Sequence, residues 1–260
     1  MTASPPALQL YTLREQLAAG RRAVLAQVAA FGYGAVEPFN ILDDPDGLRA
    51  DLDAAGLRAC SVHAIPAGDQ ADAIVRAART LGTETVIVPY LDPARWADAD
   101  GVAGVARDLN EMAARLADQG MRLGYHNHDF ELSGMVGGRP ALEVLAGQLD
   151  DRVLLEVDTY WAAVGGQDVA ALLGRLGDRV GYLHVKDGPV VNREDYMTAV
   201  GGGRMPVAEI LAASPSARWH IVELDRCATD MLTAVGDSLA WLISQGLAEP
   251  AQPARPRGGA

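Results

Sequence analysis

The chain has 260 residues, 49% of them hydrophobic, enough for one large core. Its net charge of −12 argues against nucleic acid and against an anionic membrane surface, both of which need a clustered Lys/Arg footprint. Two cysteines, Cys60 and Cys227, make no disulfide framework. With no basic-then-apolar leader and no apolar run of membrane-spanning length, a reducing, cytoplasmic setting is expected.

Short β-type runs alternate with Ala/Leu-rich helical stretches. A strand near 7–11 precedes a helix near 19–31, and a strand near 34–39 precedes a helix near 45–56. The pattern continues with strands near 57–63, 84–90 and 121–128 and helices near 70–82, 101–119 and 139–148. Strands near 152–158, 180–186 and 218–224 then alternate with helices near 167–176, 206–213 and 229–246. In the last helix Leu232, Val235, Leu239 and Leu242 recur at helical spacing. Gly32, Gly56, Gly82 and Gly120 stand just after four helices, where a left-handed cap favours glycine. Eight strand–helix units in one chain of this size predict a single-domain α/β fold, a (β/α)8 TIM barrel over 1–247. Residues 248–260 read as a disordered tail. A doubly wound nucleotide fold would carry a Gly-rich turn after its first strand, but Leu8-Gln-Leu-Tyr11 runs into Thr12-Leu-Arg-Glu-Gln.

Four apolar runs end in metal-grade side chains: Leu123-Gly-Tyr-His-Asn-His128, Leu154-Leu-Glu-Val-Asp158, Tyr182-Leu-His-Val-Lys-Asp187 and Ile221-Val-Glu-Leu-Asp225. Desolvating such groups costs free energy unless they are paired or bound. Residues two apart share a strand face. His126 and His128 therefore point together, as do Glu156 and Asp158, His184 and Lys186, and Glu223 and Asp225. The opposite parity is apolar and would pack against helices. The polar parity points into the barrel and opens at its catalytic rim. Glu37 and His63 end the second and third strands at the same rim, and Tyr90 ends the fourth.

Taken singly, several of these residues have plain structural readings. His63 reads equally as a hydrogen-bonded structural residue or a ligand, and Asp187 as a turn residue. Glu156, one pleat deeper than Asp158, reads as a partner of Lys186 or an arginine, or as a residue that supports the ligands. Glu37, before Pro38, reads as a substrate contact or salt-bridge partner, and Asp225 as a partner of Arg226 or a substrate contact. Taken together they demand more. Asp158 and Glu223 brought close at one rim repel each other and need a cation. Mixed imidazole and carboxylate suit Mn, Fe, Co or Zn better than an all-oxygen Mg site. One divalent ion, Mn first, is the expected cofactor.

The landmarks Gly34-Ala-Val-Glu37, Tyr125-His-Asn-His-Asp-Phe-Glu131, Glu156-Val-Asp-Thr-Tyr-Trp161, Leu183-His-Val-Lys-Asp187 and Val222-Glu-Leu-Asp225 resemble the xylose isomerase-like TIM barrels, in the sugar phosphate isomerase/epimerase branch. The resemblance runs from Leu8 to Trp241. It implies one divalent metal held by a Glu after strand five, an Asp after strand six, a His after strand seven and a Glu after strand eight. Asp158, His184 and Glu223 carry over. At the first position many relatives have Glu-Asn-His, whereas this chain has His126-Asn127-His128. His126 then takes the ligand place, with His128 or Glu131 as alternatives.

The chemistry implied is proton abstraction beside a carbonyl through an enediolate, in a sugar isomerase or epimerase. Glu223 is the first candidate base, His126 or His128 acts on the other face, and Lys186 balances charge on the substrate oxygen. Loss of a β-group instead would make a keto-sugar or keto-inositol dehydratase or lyase. Glu37, His63, Tyr90, Glu156 and Asp225 are expected to contact a small sugar or sugar derivative. Arg204, in Gly201-Gly-Gly-Arg-Met, is a candidate phosphate contact, although a structural loop explains it equally. An abasic-site endonuclease or a non-catalytic sugar-binding barrel are the competing classes. The acidic balance speaks against the first, and retention of Asp158, His184, Lys186 and Glu223 against the second. A homo-oligomer is in keeping with relatives, though no interface is legible.

Overall fold

A computed structural model describes residues 6–251 of the chain. Eight strand positions form one parallel sheet: β1 (Ala7–Gln9), β2 (Ala35–Glu37), β3 (in two pieces, Arg58–Ala59 and Val62–His63), β4 (Thr85–Val88), β5 (Arg122–His126), β6 (Val153–Asp158), β7 (Val180–Val185) and β8 (Trp219–Val222). Each strand pairs with its sequence neighbours, and β1 also pairs with β8. The sheet closes at the broken strand. The first piece of β3 pairs with β2 and the second with β4. Between them the His63 N–H donates to Pro38 O at 2.8 Å and the Ala64 N–H to Ile87 O at 3.0 Å. The fold is therefore the expected single-domain (β/α)8 barrel.

The helices lie close to their expected places: Arg14–Phe31, Pro45–Ala55, Ala71–Leu81, Ala99–Ala117, Ala141–Ala146, Val169–Leu176, Val207–Ala212 and Met231–Ser244. Their ends follow local chemistry. Asp44, Asp98, Asp168 and Asp230 accept backbone N–H groups at four helix starts. Gly32, Gly56 and Gly82 end three helices at positive φ. The first helix starts earlier than its apolar spacing predicts, because a 3-10 turn at Leu10–Leu13 leads straight into it and extended Gly20 divides it. Sequence periodicity also missed two short helices at strand ends, Phe130–Ser133 and Thr159–Val164. Each is barely a turn or two long, too short to show a repeat. The expected tail is ordered at its start: Ala248 is buried and the Ala251 N–H donates to Gly32 O at 2.9 Å. Its remainder, 252–260, lies outside the described residues. Among the described residues no helix is long and apolar enough to cross a membrane.

Strand parity divides the interior in two. One parity of each strand packs outward against the helices in the main core. The other fills the barrel axis with a smaller cluster of Ala7, Ala35, Cys60, Ile87, Tyr182 and Ile221. Directly above that apolar plug lie the polar ends of the same strands. Gly124 belongs to the plug: a Cβ there would fall 2.4 Å from Ile87 Cδ1, and Ile87 is fully buried. Gly124→Ala should therefore destabilise the barrel by about 1–3 kcal/mol through overpacking. Ile87→Val in the same chain should recover much of that loss, both read from denaturant midpoints.

Candidate metal centre and active site

Ladder register brings the strand-end side chains together. It pairs His126 with Glu156 across β5 and β6, and Asp158 with His184 across β6 and β7. The Glu223 N–H, one residue past β8, continues the ladder by donating to Val185 O at 3.3 Å. One donor atom each from His126, Asp158, His184 and Glu223 then lies within 4.8 Å of the others, and all four residues are buried. His126, rather than His128 or Glu131, is the strand-five member. Glu131 turns away, accepting the Tyr125 hydroxyl at 2.6 Å and the His128 N–H at 2.8 Å, and burial lifts its carboxyl to about 7.

Asp158 serves two masters. Its Oδ1 accepts the Trp161 N–H at 2.9 Å and so caps the short helix Thr159–Val164. Its Oδ2 is buried without a well-aligned hydrogen bond, although Lys186 Nζ lies 2.8 Å away. Asn127 locks this strand end from the side, accepting the Asp158 N–H at 3.0 Å and donating to Asp158 O at 3.4 Å. A carboxylate oxygen met only by the Lys186 ammonium, beside two imidazoles and a second carboxylate, suits a divalent cation. This buried cluster can hold a metal ion.

Lys186 is the only lysine in the chain and is 1% exposed. Its Nζ lies 2.6 Å from Glu223, 2.7 Å from Asp225 and 2.8 Å from Asp158. A compact ammonium fits between three carboxylates where a planar guanidinium would not. Burial alone would pull this ammonium down, but Asp158, Asp225 and Glu223 outweigh burial and raise it well above its ordinary value. It stays protonated. Burial likewise favours a neutral Glu223, but Lys186 and His184 outweigh it and keep that carboxylate ionised.

Below this layer lies another. Glu37 and Glu156 have no exposed surface. Glu37 accepts Gln9 Nε2 at 2.8 Å, His184 Nε2 at 2.8 Å and the Ser61 hydroxyl. Glu156 Oε2 lies 2.7 Å from His63 Nε2, 3.1 Å from His126 Nδ1 and 3.1 Å from His184 Nε2. Burial would lower the His63 imidazole, but Glu37 and Glu156 raise it to about 10. Glu37 and Glu156, expected as substrate contacts, thus lie beneath the site and hold histidines. Their depth along the strand, not their face, separates them from the mouth.

The mouth is a cavity of about 430 Å³. One wall carries Lys186, Glu223 and Asp225, and the other carries His63, His126, His128 and Tyr90. Tyr11, Phe39, Asn40, Ala64, Ile65 and Pro89 complete its rim. His128 stacks on Phe130 and meets Tyr90 edge-on. Burial, then His126 and Lys186, push the His128 imidazole down to about 2, so it is neutral. Arg204 is exposed and does not line this cavity. The loop that carries it is tied down by Asp187, whose carboxylate accepts the N–H groups of Gly188, Gly201, Gly203 and Met205 at 2.8–3.1 Å. Amides that a phosphate would need are already used. The sequence reading missed Asn127, Gln9 and Ser61, which act only through partners on other strands, and the rim residues Phe39 and Ile65, ordinary apolar side chains by type.

The family model described as xylose isomerase-like TIM barrel matches residues 25–245. The chain belongs to that family. Among solved structures it is similar to a sugar phosphate isomerase/epimerase from Parabacteroides distasonis, at 22% identity over 96% of each chain with a TM-score of 0.78. It is also similar to a probable 3-DHS dehydratase, AsbF, from Bacillus anthracis (12% identity, 94% of this chain and 99% of that one, TM-score 0.72). A D-allulose 3-epimerase from a Methylomonas species gives 18% identity over the same shares and a TM-score of 0.65. At these identities the likeness is one of fold. No curated protein matches the chain. The printed names of these neighbours are those of an isomerase/epimerase, a dehydratase and an epimerase.

Removing the ammonium leaves three crowded carboxylates. Lys186→Met should destabilise the metal-free protein by about 3–5 kcal/mol. Added Mn²⁺ should restore part of that loss, since the cation replaces the missing charge. Thermal unfolding in EDTA and in Mn²⁺ checks this, and equal melting of variant and parent in EDTA would refute it.

Proposed function

We propose that this protein is a divalent-metal-dependent isomerase or epimerase that works through an enediolate on a sugar or sugar derivative. The observation that carries the proposal is the two-histidine, two-carboxylate cluster facing a sugar-sized cavity. His126, Asp158, His184 and Glu223 would hold the ion, Mn²⁺ being the first candidate and Zn, Co, Fe or Mg the alternatives. When bound, the ion supplies Lewis acidity to a substrate carbonyl oxygen, lowering the cost of removing the neighbouring proton. The chain's own residues do the rest. Lys186, permanently charged, faces the cavity and supports negative charge on a substrate oxygen. Asp225 and Glu223 offer acceptors to hydroxyls on one wall. His128, neutral, offers a hydrogen-bond partner or proton carrier on the other, with Tyr90 beside it. No arginine lines the cavity, and its one ammonium is engaged by three carboxylates. The arginines lie next door: Arg14, Arg193 and Arg226 line an adjoining space that shares Tyr11, His128 and Asp225 with the cavity.

One feature favours elimination as a second reading. Both carboxylates that line the cavity, Glu223 and Asp225, follow β8, and apart from Lys186 the other polar lining groups are imidazoles, two phenols and the Asn40 amide. The lining therefore offers no pair of opposed carboxylates. A single-base dehydratase or lyase acting on a keto-sugar or keto-inositol fits the same wall chemistry.

Mn²⁺-loaded protein incubated in D₂O with free sugars, keto-sugars and keto-inositols should place deuterium on the carbon beside a carbonyl, seen by NMR. Net isomer, epimer or loss of water then names the outcome. Asp158→Asn should cut exchange by at least about 100-fold, since removing a ligand costs no less than disturbing its support. Protein that takes up no divalent metal and exchanges no proton would overturn the proposal.

A further inference from the structure

Beneath the metal cluster the structure holds a second buried layer, Glu37, Glu156 and His63, that touches no cavity wall except through His63. Its carboxylates face only particular nitrogens of the histidines above. His184 Nε2 is taken by Glu37 at 2.8 Å, while its Nδ1 faces Glu223 Oε2 at 2.8 Å. His126 is turned the other way. Its Nδ1 lies 3.1 Å from Glu156 Oε2, at an angle short of a full hydrogen bond and with no other partner, while its Nε2 faces Asp158 Oδ2 at 3.9 Å. An imidazole that gives one N–H to a carboxylate presents its other nitrogen as a lone pair.

We infer that Glu37 and Glu156 are positioning residues that force a mixed linkage, with His184 ligating metal through Nδ1 and His126 through Nε2. The inference rests on the metal-site reading above and deepens it. Glu37 is itself held, by Gln9 and Ser61, so that its oxygen cannot follow the ring. Glu156 is one pleat deeper than Asp158 on the same face of β6, so a single strand supplies a metal-facing carboxylate and the carboxylate that orients a histidine. The same layer could be taken for a second metal position, since His63, His126, Glu156 and His184 also lie close together. His126 and His184 cannot serve both positions without bridging through both nitrogens, and the lower carboxylates already lie against His184 Nε2 and His126 Nδ1.

The chain has five histidines, few enough for ¹⁵N-histidine NMR to resolve each ring. In Zn²⁺-loaded full-length protein, His126 should keep its proton on Nδ1 and His184 on Nε2. Metal titration followed by calorimetry should give one equivalent. Glu156→Leu should shift the His126 proton off Nδ1 and weaken metal affinity about 10–100-fold. Glu156→Gln keeps an acceptor oxygen and should hold the tautomer and fall between the two. The opposite linkage at either ring, or two equivalents of metal, overturns the inference, and so does unchanged affinity in folded Glu156→Leu. If no metal binds at all, the functional proposal fails. The His126 tautomer of the metal-free protein at mildly alkaline pH, with and without Glu156→Leu, then still decides the positioning role.

Discussion

The top of this barrel concentrates buried carboxylates that cannot coexist unneutralised. Glu37, Glu156, Asp158 and Glu223 are all buried within one strand-end layer or the next. Like charges in a low-dielectric interior repel strongly. Every other feature of the site answers this constraint: the imidazoles of His63 and His184, the single ammonium of Lys186, and the geometry suited to a divalent ion.

The neutralising groups are arranged by depth. The lower layer pairs carboxylate with imidazole and reaches the cavity only through His63, so its carboxylates can orient but cannot touch a substrate. The upper layer shares its carboxylates between Lys186 and the two-histidine cluster that can hold a metal, and opens on the cavity. Parity assigns a side chain to the barrel interior, and position along the strand assigns it to one layer or the other. The two-residue repeat of a strand thus places Glu156 under Asp158, and His184 under Lys186, without any special backbone.

The cavity walls differ in character, and that difference bears on reaction type. An anionic wall with a fixed ammonium faces a wall of imidazoles and a phenol. Hydroxyls suit the first and a proton carrier suits the second. The Gly201-Gly-Gly-Arg204 segment lies outside this arrangement because Asp187 consumes its amides. A loop rich in glycine proved to be a loop shaped for one aspartate.

The barrel was legible in the sequence because strand and helix periods differ and alternate eight times, and because aspartate and glycine mark the helix ends. The same period of two identified the site-bearing face of each strand, and with it His126, Asp158, His184, Lys186 and Glu223. Depth was legible only in part, in Glu156 standing one pleat below Asp158. Glu37 and Glu156 carry the right parity, yet only ladder register and barrel closure show that they lie under the histidines rather than beside a substrate. Asn127, Gln9 and Ser61 were invisible for a related reason: each acts on a residue that the chain brings near only when the sheet closes. Side-chain direction along a strand is a local property that the amino-acid order determines. Which strand ends share a layer depends on hydrogen-bond register between distant segments, and tertiary structure alone decides that.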